Sequence, residues 1–140
     1  MRYSGGGIAL FKKIDGKTFV LLGKRKYKPF PGCWTFPGGG AEHGETLLQA
    51  GLREFREETG VRLDEASMTE CGSFKIDVFC FRWQTTMIET TQNITPIPCH
   101  EFTEMQWIAV SEIKNYRLHP FVKTVVRRYE RKRQRGRFAH

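Results

Sequence analysis

"GGAEHGETLLQAGLREFREETGV", residues 39–61, opens on two of three consecutive glycines and then changes period. From Glu45 to Thr59 the apolar residues Leu48, Leu52 and Phe55 recur at intervals of four and three, which predicts an amphipathic helix with Gly60 as its stop. At about 100° per residue, Glu54, Glu57 and Glu58 share one face beside that stripe, so their carboxylates are expected to point off the core. Gly51 falls between the two stripes. A mid-helix glycine costs about 1 kcal/mol relative to alanine, tolerable where something must approach the helix closely.

The ordinary reading of such a charge run is a solvated face on which Arg53 pairs with Glu57 at i,i+4. Local electrostatics oppose it. Glu54 and Glu58 form a like-charge i,i+4 pair, and Glu57 and Glu58 sit beside the negative end of the helix dipole, choices that cost roughly 0.3 to 1 kcal/mol each. A divalent cation compensates all of them together, because carboxylate oxygens are preferred ligands of Mg2+ and Mn2+.

Outward from this stretch, "GGIALFKKIDGKTFVLLGKR" reads as strands Ile8 to Ile14 and Thr18 to Lys24 joined at Asp15-Gly16, a strong hairpin signal. "KYKPFPGCW" is a loop, and "WTF" a short strand running into Pro37. Residues 67–86 are rich in β-branched and aromatic residues and predict two strands, the second alternating from Ile76 to Trp83. "EFTEMQWIAV" predicts another strand, "SEIKNY" a short helical turn, and Pro120 the start of a last helix with Val122, Val125, Val126 and Tyr129 inward. The expected fold is α+β: an α-β-α sandwich with a mixed β-sheet between helices, in one domain spanning 1–140.

Read from Gly39, the spacing is glycine, five residues, Glu45, seven residues, then Arg53-Glu54-Phe55-x-Glu57-Glu58-x-Gly60-Val61. This resembles the signature box of the Nudix hydrolase family at every fixed position. Seven exact identities at roughly one chance in fifteen each make coincidence on the order of one in 10⁸ per start site, so accident is a poor explanation.

The resemblance implies hydrolysis of nucleoside diphosphates linked to another moiety, with Mg2+ or Mn2+ as cofactor. Glu57 and Glu58 match metal-binding glutamates, Glu54 a position that binds metal or activates water, and the Gly38 carbonyl a backbone ligand. Arg53 and Glu45 match positions that brace the loop and helix. A further carboxylate expected six residues before a tryptophan resembling Trp107 picks Glu101, with Glu104 as its rival. Arg25 resembles a phosphate-contacting position, against the plainer reading of a surface cation. Phe36, Phe79, Phe81 and Trp83 read as core more readily than as a wall for a base. Markers of ADP-ribose and dinucleoside polyphosphate hydrolases fall on Ile76 and Val78, and Leu118-His119-Pro120 stands where oxidised-purine sanitisers place an asparagine; all three specialisations are disfavoured.

Composition bounds the rest. The four cysteines include no CxxC pair and the four histidines no HExxH pair, which favours free thiols and an oxygen-bound metal. No apolar run is long enough for a membrane span or a secretory signal, so the expectation is a cytoplasmic protein. Of the formal net charge of +8, residues 127–137, "RRYERKRQRGR", carry +6 and residues 1–126 carry +2. The basic stretch at about 127–140 reads as a solvated helix end, with polyanion binding as the minority reading. The expected reaction converts a nucleoside triphosphate or related compound to the monophosphate and pyrophosphate. The alternatives are removal of pyrophosphate from RNA 5′ ends and a non-catalytic nucleotide-sensing module. Expected partners are a nucleotide-type small molecule and no membrane; RNA along the tail and a homodimer are left open.

Overall fold

Strand β1 (Tyr3–Ile14) organises the sheet because its two halves have different neighbours. In the computed structural model, which describes residues 2–136, the chain continues as β2 (Lys17–Arg25), β3 (Trp34–Thr35), β4 (Gly38–Gly40) and α1 (Leu47–Thr59). There follow β5 (Met68–Val78), β6 (Phe81–Thr90), β7 (Phe102–Ala109), a 3-10 turn at Val110–Asn115 and α2 (Val122–Gln134). The outer half of β1 pairs antiparallel with β2 through a turn at Asp15 and Gly16, both at positive φ. Its inner half pairs antiparallel with β4, and nearly its whole length runs parallel to β6. The main order is β3-β2-β1-β6-β5, with β7 on β2. The mixed sheet expected from the sequence is present.

Period-two alternation along β1 divides the core. Ile8 and Leu10 face one layer with Leu21, Ile88 and Phe55 of α1. Ala9 and Phe11 face the other, against Val122, Val125, Val126 and Tyr129 of α2. Each large side chain buried this way contributes about 1.5 to 3 kcal/mol, and the sheet is sandwiched between the two helices. On the α2 side the rings of Phe11 and Tyr129 stack at 3.7 Å.

Several boundaries differ from the sequence reading, among them the start of β1, at Tyr3 instead of Ile8. The expected helix start at Glu45 moves to Leu47, because Thr46 caps the helix: its hydroxyl accepts from the Gln49 amide at 3.1 Å and the Gln49 side chain accepts from the Thr46 amide at 2.9 Å. The last helix begins at Val122 rather than Pro120, since Phe121 is left-handed at φ 74°. The alternation read from Ile76 to Trp83 is broken by a hairpin turn that leaves Phe79 95% exposed.

Two features position the site. First, α1 lies on bare backbone: a Cβ at Gly6 would stand 2.0 Å from the Leu47 carbonyl oxygen, and one at Gly51 would stand 3.2 Å from the Gly7 carbonyl oxygen. The mid-helix glycine thus meets the close approach it was read to allow. Second, α2 is anchored across β5, where Arg128 donates to the Ser73 carbonyl at 3.2 Å and Lys132 to the Cys71 carbonyl at 3.0 Å. Arg133 pairs with Glu89 on β6. The inward cations of the basic stretch are therefore structural; residues 137–140 lie outside the described residues.

Gly6→Ala should destabilise the fold by about 3 kcal/mol, the upper range of overpacking penalties, because backbone on both sides leaves the new methyl no room. An unchanged denaturation midpoint in urea would mean that α1 does not sit on β1 as described.

Candidate active site

The last turn of α1 and strand β4 meet edge to face. The Gly38 amide donates to Glu58 Oε1 at 2.8 Å. Two residues on, the Gly40 carbonyl accepts from Arg53 Nη2 at 2.8 Å. A strand residue presents its N–H and C=O on the same edge. The Gly38 carbonyl therefore faces the carboxylates rather than β1. Glycine is required at Gly38, where a Cβ would stand 2.6 Å from the Gly6 carbonyl oxygen, and a Cβ at Gly39, 2.4 Å from the Glu54 carboxyl carbon, would displace that carboxylate.

Glu58 corrects the expectation that all three carboxylates point off the core. It is 3% exposed, because β4 covers the helix surface beside the apolar stripe. Burial raises its pKa well above the ordinary 4.5; the Gly38 hydrogen bond opposes the rise, and the charges of Glu54 and Glu101 add to it. Glu54 is held by Arg53, whose Nη1 donates to its Oε2 at 3.0 Å. The same guanidinium donates to Glu45 at 2.7 and 3.0 Å, and to Glu57 at 3.3 Å. These bonds keep Arg53 charged and hold Glu45 below the ordinary carboxylate range.

Glu101 reaches the same place from another direction. The Glu58 and Thr59 carbonyls, left open at the helix end, accept from the Cys99 amide at 3.1 Å and the Ile97 amide at 2.9 Å. That docked loop delivers Glu101 into a cavity of about 890 Å³ lined also by Arg25, Gly38, Gly39, Gly40, Glu54 and Glu58. Glu104 accepts from Gln106 on β7 and does not line the cavity. Glu57 does not line it either; its side chain is 53% exposed beside Arg53. Arg25 stands at the wall, its Nε donating to the Pro29 carbonyl at 2.7 Å, so it also fastens the rim loop.

Tyr3, which the sequence reading does not name, joins Phe81 and Trp83 in the cavity lining beside the Gly38–Gly40 strand, the three nearly parallel rings forming a triangle with centroids 5.7 to 6.5 Å apart and planes within 9°. For Phe81 and Trp83 the wall, the less favoured of the two sequence readings, is what the structure supports: the parallel β1–β6 register sets them beside Tyr3 and Gly5 on one face. The indole N–H of Trp83 donates to Thr85 at 2.9 Å, which fixes the ring. The signal available was the alternation Phe81, Trp83, Thr85 itself, which marks one face without saying whether protein or ligand covers it. Phe36, Phe74, His119 and Phe121 are also part of the lining. Burial, aided by the Arg25 charge, lowers the His119 pKa below 6.5 and keeps its imidazole neutral at neutral pH.

The donor set fits a hard divalent cation: carboxylates of Glu54, Glu58 and Glu101, a glycine carbonyl, and no nitrogen or sulfur ligand at the same spot. Among the described residues no three acidic, histidine or cysteine side chains are gathered closely enough to hold an ion as they stand. Glu54 and Glu57 would first turn from Arg53. A buried carboxylate beside two others is relieved either by holding its proton or by a bound cation.

Glu58 supplies a pH test. A carboxyl whose folded pKa is raised binds its proton more tightly when folded, so its contribution is most favourable below the unfolded value of 4.5 and is lost as pH rises toward the folded value. In chelator at pH 8, Glu58→Gln should therefore be more stable than the parent by about 1.4 kcal/mol or more, equivalent to at least one pKa unit. The gap should close toward pH 4. A variant less stable than the parent at pH 8 would contradict the raised proton affinity of the buried Glu58.

The family model described as the NUDIX domain matches residues 5–129. A putative 8-oxo-dGTP diphosphatase 3 from Mycobacterium tuberculosis is 30% identical over 128 residues, covering 85% of this chain and 58% of its own length. The m7GpppN-mRNA hydrolase NUDT17 of Xenopus laevis is 43% identical over 67 residues, covering 48% of this chain and 23% of its own. The chain thus spans less than two thirds of the length of these curated relatives. Among solved structures, the Nudix hydrolase RenU from M. smegmatis superposes with a TM-score of 0.77 at 22% identity, over 93% of this chain and 84% of that one, a likeness of fold. With a family model covering most of its length and the complete box running from β4 through α1, the chain belongs to the Nudix hydrolase family.

Proposed function

We propose that the protein is a divalent-cation-dependent pyrophosphohydrolase acting on a nucleoside triphosphate or another nucleoside diphosphate-linked compound, with a nucleoside monophosphate as product. The observation that carries this reading is the convergence of Glu54, Glu58 and Glu101 with the Gly38–Gly40 strand in a cavity that Tyr3, Phe81 and Trp83 also line. Carboxylates collect cations, and aromatic rings suit the face of a base. Relatives named for 8-oxo-dGTP and for capped mRNA support nucleotide chemistry of this general kind.

The reaction needs a water oxygen to attack phosphorus while the bridging oxygen leaves with its bonding pair. Glu54, Glu58, Glu101 and the Gly38 carbonyl are the groups that would hold Mg2+ or Mn2+, which would supply positive charge against the phosphate oxygens and make water more acidic. Glu54 and Glu58 are the carboxylates able to take the proton of that water. Arg53 is a positioning residue: it aims Glu54 and ties the Gly40–Glu45 loop to the helix. Glu57 joins the set only by rotating away from Arg53, which its exposed position permits. Arg25 offers positive charge at the wall to the phosphate chain. Tyr3, Phe81 and Trp83 seat the base.

The second reading keeps this chemistry and places the scissile bond at the 5′ end of RNA. Exposed cations on α2 favour it, the helix whose first turn forms part of the cavity wall.

Glu54→Gln and Glu58→Gln should each lower kcat by about 10² to 10⁴ with the fold retained, given the usual worth of a general base or charge-stabilising group. Chelation should abolish turnover, and Mg2+ or Mn2+ should raise the parent's melting temperature but not that of the Glu54→Gln/Glu58→Gln double variant. The measurements are phosphate and pyrophosphate release across triphosphates, ADP-ribose, dinucleoside polyphosphates and triphosphorylated or capped RNA. Full activity in both single variants would remove the assignment.

A further inference from the structure

Of the three parallel rings in the cavity lining, two have no polar group to offer a ligand. Phe81 carries none, and the indole N–H of Trp83 is already given to Thr85 at 2.9 Å. Tyr3 carries a hydroxyl, and among the described residues no side chain or backbone group bonds it. The ring lies parallel to Phe81 and Trp83, with centroids at 5.7 and 6.5 Å. These neighbours set its plane and so the direction in which the hydroxyl projects.

That projection ends at β4. A Cβ at Gly40 would stand 3.5 Å from the Tyr3 hydroxyl oxygen, so the tip of the ring lies against the strand whose Gly38 amide holds Glu58. Burial raises the pKa of the phenol, and the charges of Glu54, Glu58 and Glu101 raise it further. The hydroxyl is therefore within electrostatic reach of all three carboxylates and bonded to none of them. It is a hydrogen-bond donor at neutral pH, since a phenol titrates near 10 before any such rise. A neutral donor behaves differently here from a cation. A lysine or arginine in this place would pair with the carboxylates, as Arg53 pairs with Glu45, Glu54 and Glu57. A hydroxyl leaves them to a metal ion and still offers its hydrogen to an oxygen acceptor.

Tyr3 thus stands where rings that suit a base adjoin carboxylates that suit a cation. In a nucleotide lying across that boundary, the sugar and its attached phosphate join the base to the rest of the phosphate chain. The strongest acceptors in that piece are the charged non-bridging oxygens of the phosphate. We propose that Tyr3 is a substrate-contacting residue whose hydroxyl donates to a non-bridging oxygen of the sugar-linked phosphate and holds that phosphate against the cation site. The contact rests on the nucleotide reading given above. The ring belongs to the wall and the hydroxyl to the phosphate, so substitution can separate the two.

Tyr3→Phe removes the hydroxyl and keeps the ring, whereas Tyr3→Leu removes both. Parent and variants are titrated by calorimetry, in Mg2+, with AMP, GMP, CMP and UMP and with the matching nucleosides. The same chains are assayed on the corresponding triphosphates in ribose and 2′-deoxyribose form. Tyr3→Phe should weaken the tightest-binding monophosphate and lower kcat/KM on its triphosphate by about 10- to 100-fold, the usual worth of a hydrogen bond to a charged acceptor. It should leave nucleoside affinity unchanged, while Tyr3→Leu should weaken the nucleoside as well. The rise in melting temperature on adding Mg2+ should persist in Tyr3→Phe. Its loss would make the hydroxyl a support for the carboxylates and overturn the substrate contact. A loss of kcat/KM confined to ribose substrates would move the contact to the sugar and also overturn it. Monophosphate affinity that depends on the hydroxyl in a chain hydrolysing nothing would retain the contact and discard the catalytic reading. Hydrolysis of triphosphates with kcat/KM and monophosphate affinity unchanged in Tyr3→Phe would do the reverse. A parent that neither binds nor hydrolyses any of these compounds would overturn both.

Discussion

Everything at the site depends on surfaces from which side chains have been removed. Where α1 crosses β1 and β4, Gly6, Gly39 and Gly51 leave backbone and carboxylates separated by less than a methyl group's width. That approach lets the Gly38 amide reach Glu58 and the Gly40 carbonyl reach Arg53. Glycine weakens both helix and strand. The loss is offset by the flanking apolar layers, in which Phe55, Ile8 and Leu10 are buried on the same side of the sheet.

The acidic cluster then follows a consistent electrostatic scheme. One arginine with five donors restrains Glu45, Glu54 and Glu57, while Glu58 lies beneath β4 with the Gly38 amide and the carboxylates of Glu54 and Glu101 as neighbours and, among the described residues, no cation bonded to it. The satisfied group holds the geometry. The under-compensated group holds the capacity to bind, because burial without a matching cation raises its affinity for any positive charge, proton or metal alike. The docking of the Ile97–Cys99 backbone on the open end of α1 adds Glu101 to that capacity.

The helix, its stop at Gly60, the first hairpin and the inward stripe of α2 were legible in the sequence because each depends on period or turn chemistry within a few residues. The start of β1 at Tyr3 was not, since Gly5 to Gly7 have little strand preference and become a strand only through partners on both edges, β4 and β6. The burial of Glu58 was hidden for the same reason: a helical wheel shows which residues share a face but not what covers it. The box motif marked the carboxylates by spacing alone. The aromatic wall needed the parallel register of β1 and β6, a long-range fact. The basic stretch was legible as charge, while its division into anchored and outward cations required α2 to be placed on β5.

That placement matters for the sheet's outer boundary. β5 ends the strand order, and an end strand displays unpaired carbonyls on which a strand from another molecule can add. Arg128 and Lys132 occupy two of those carbonyls, at Ser73 and Cys71, and lay a charged helix along the strand. The same segment that gives the chain most of its positive charge thus also lies along the end strand of the sheet, tying the placement of that charge to the packing of one helix.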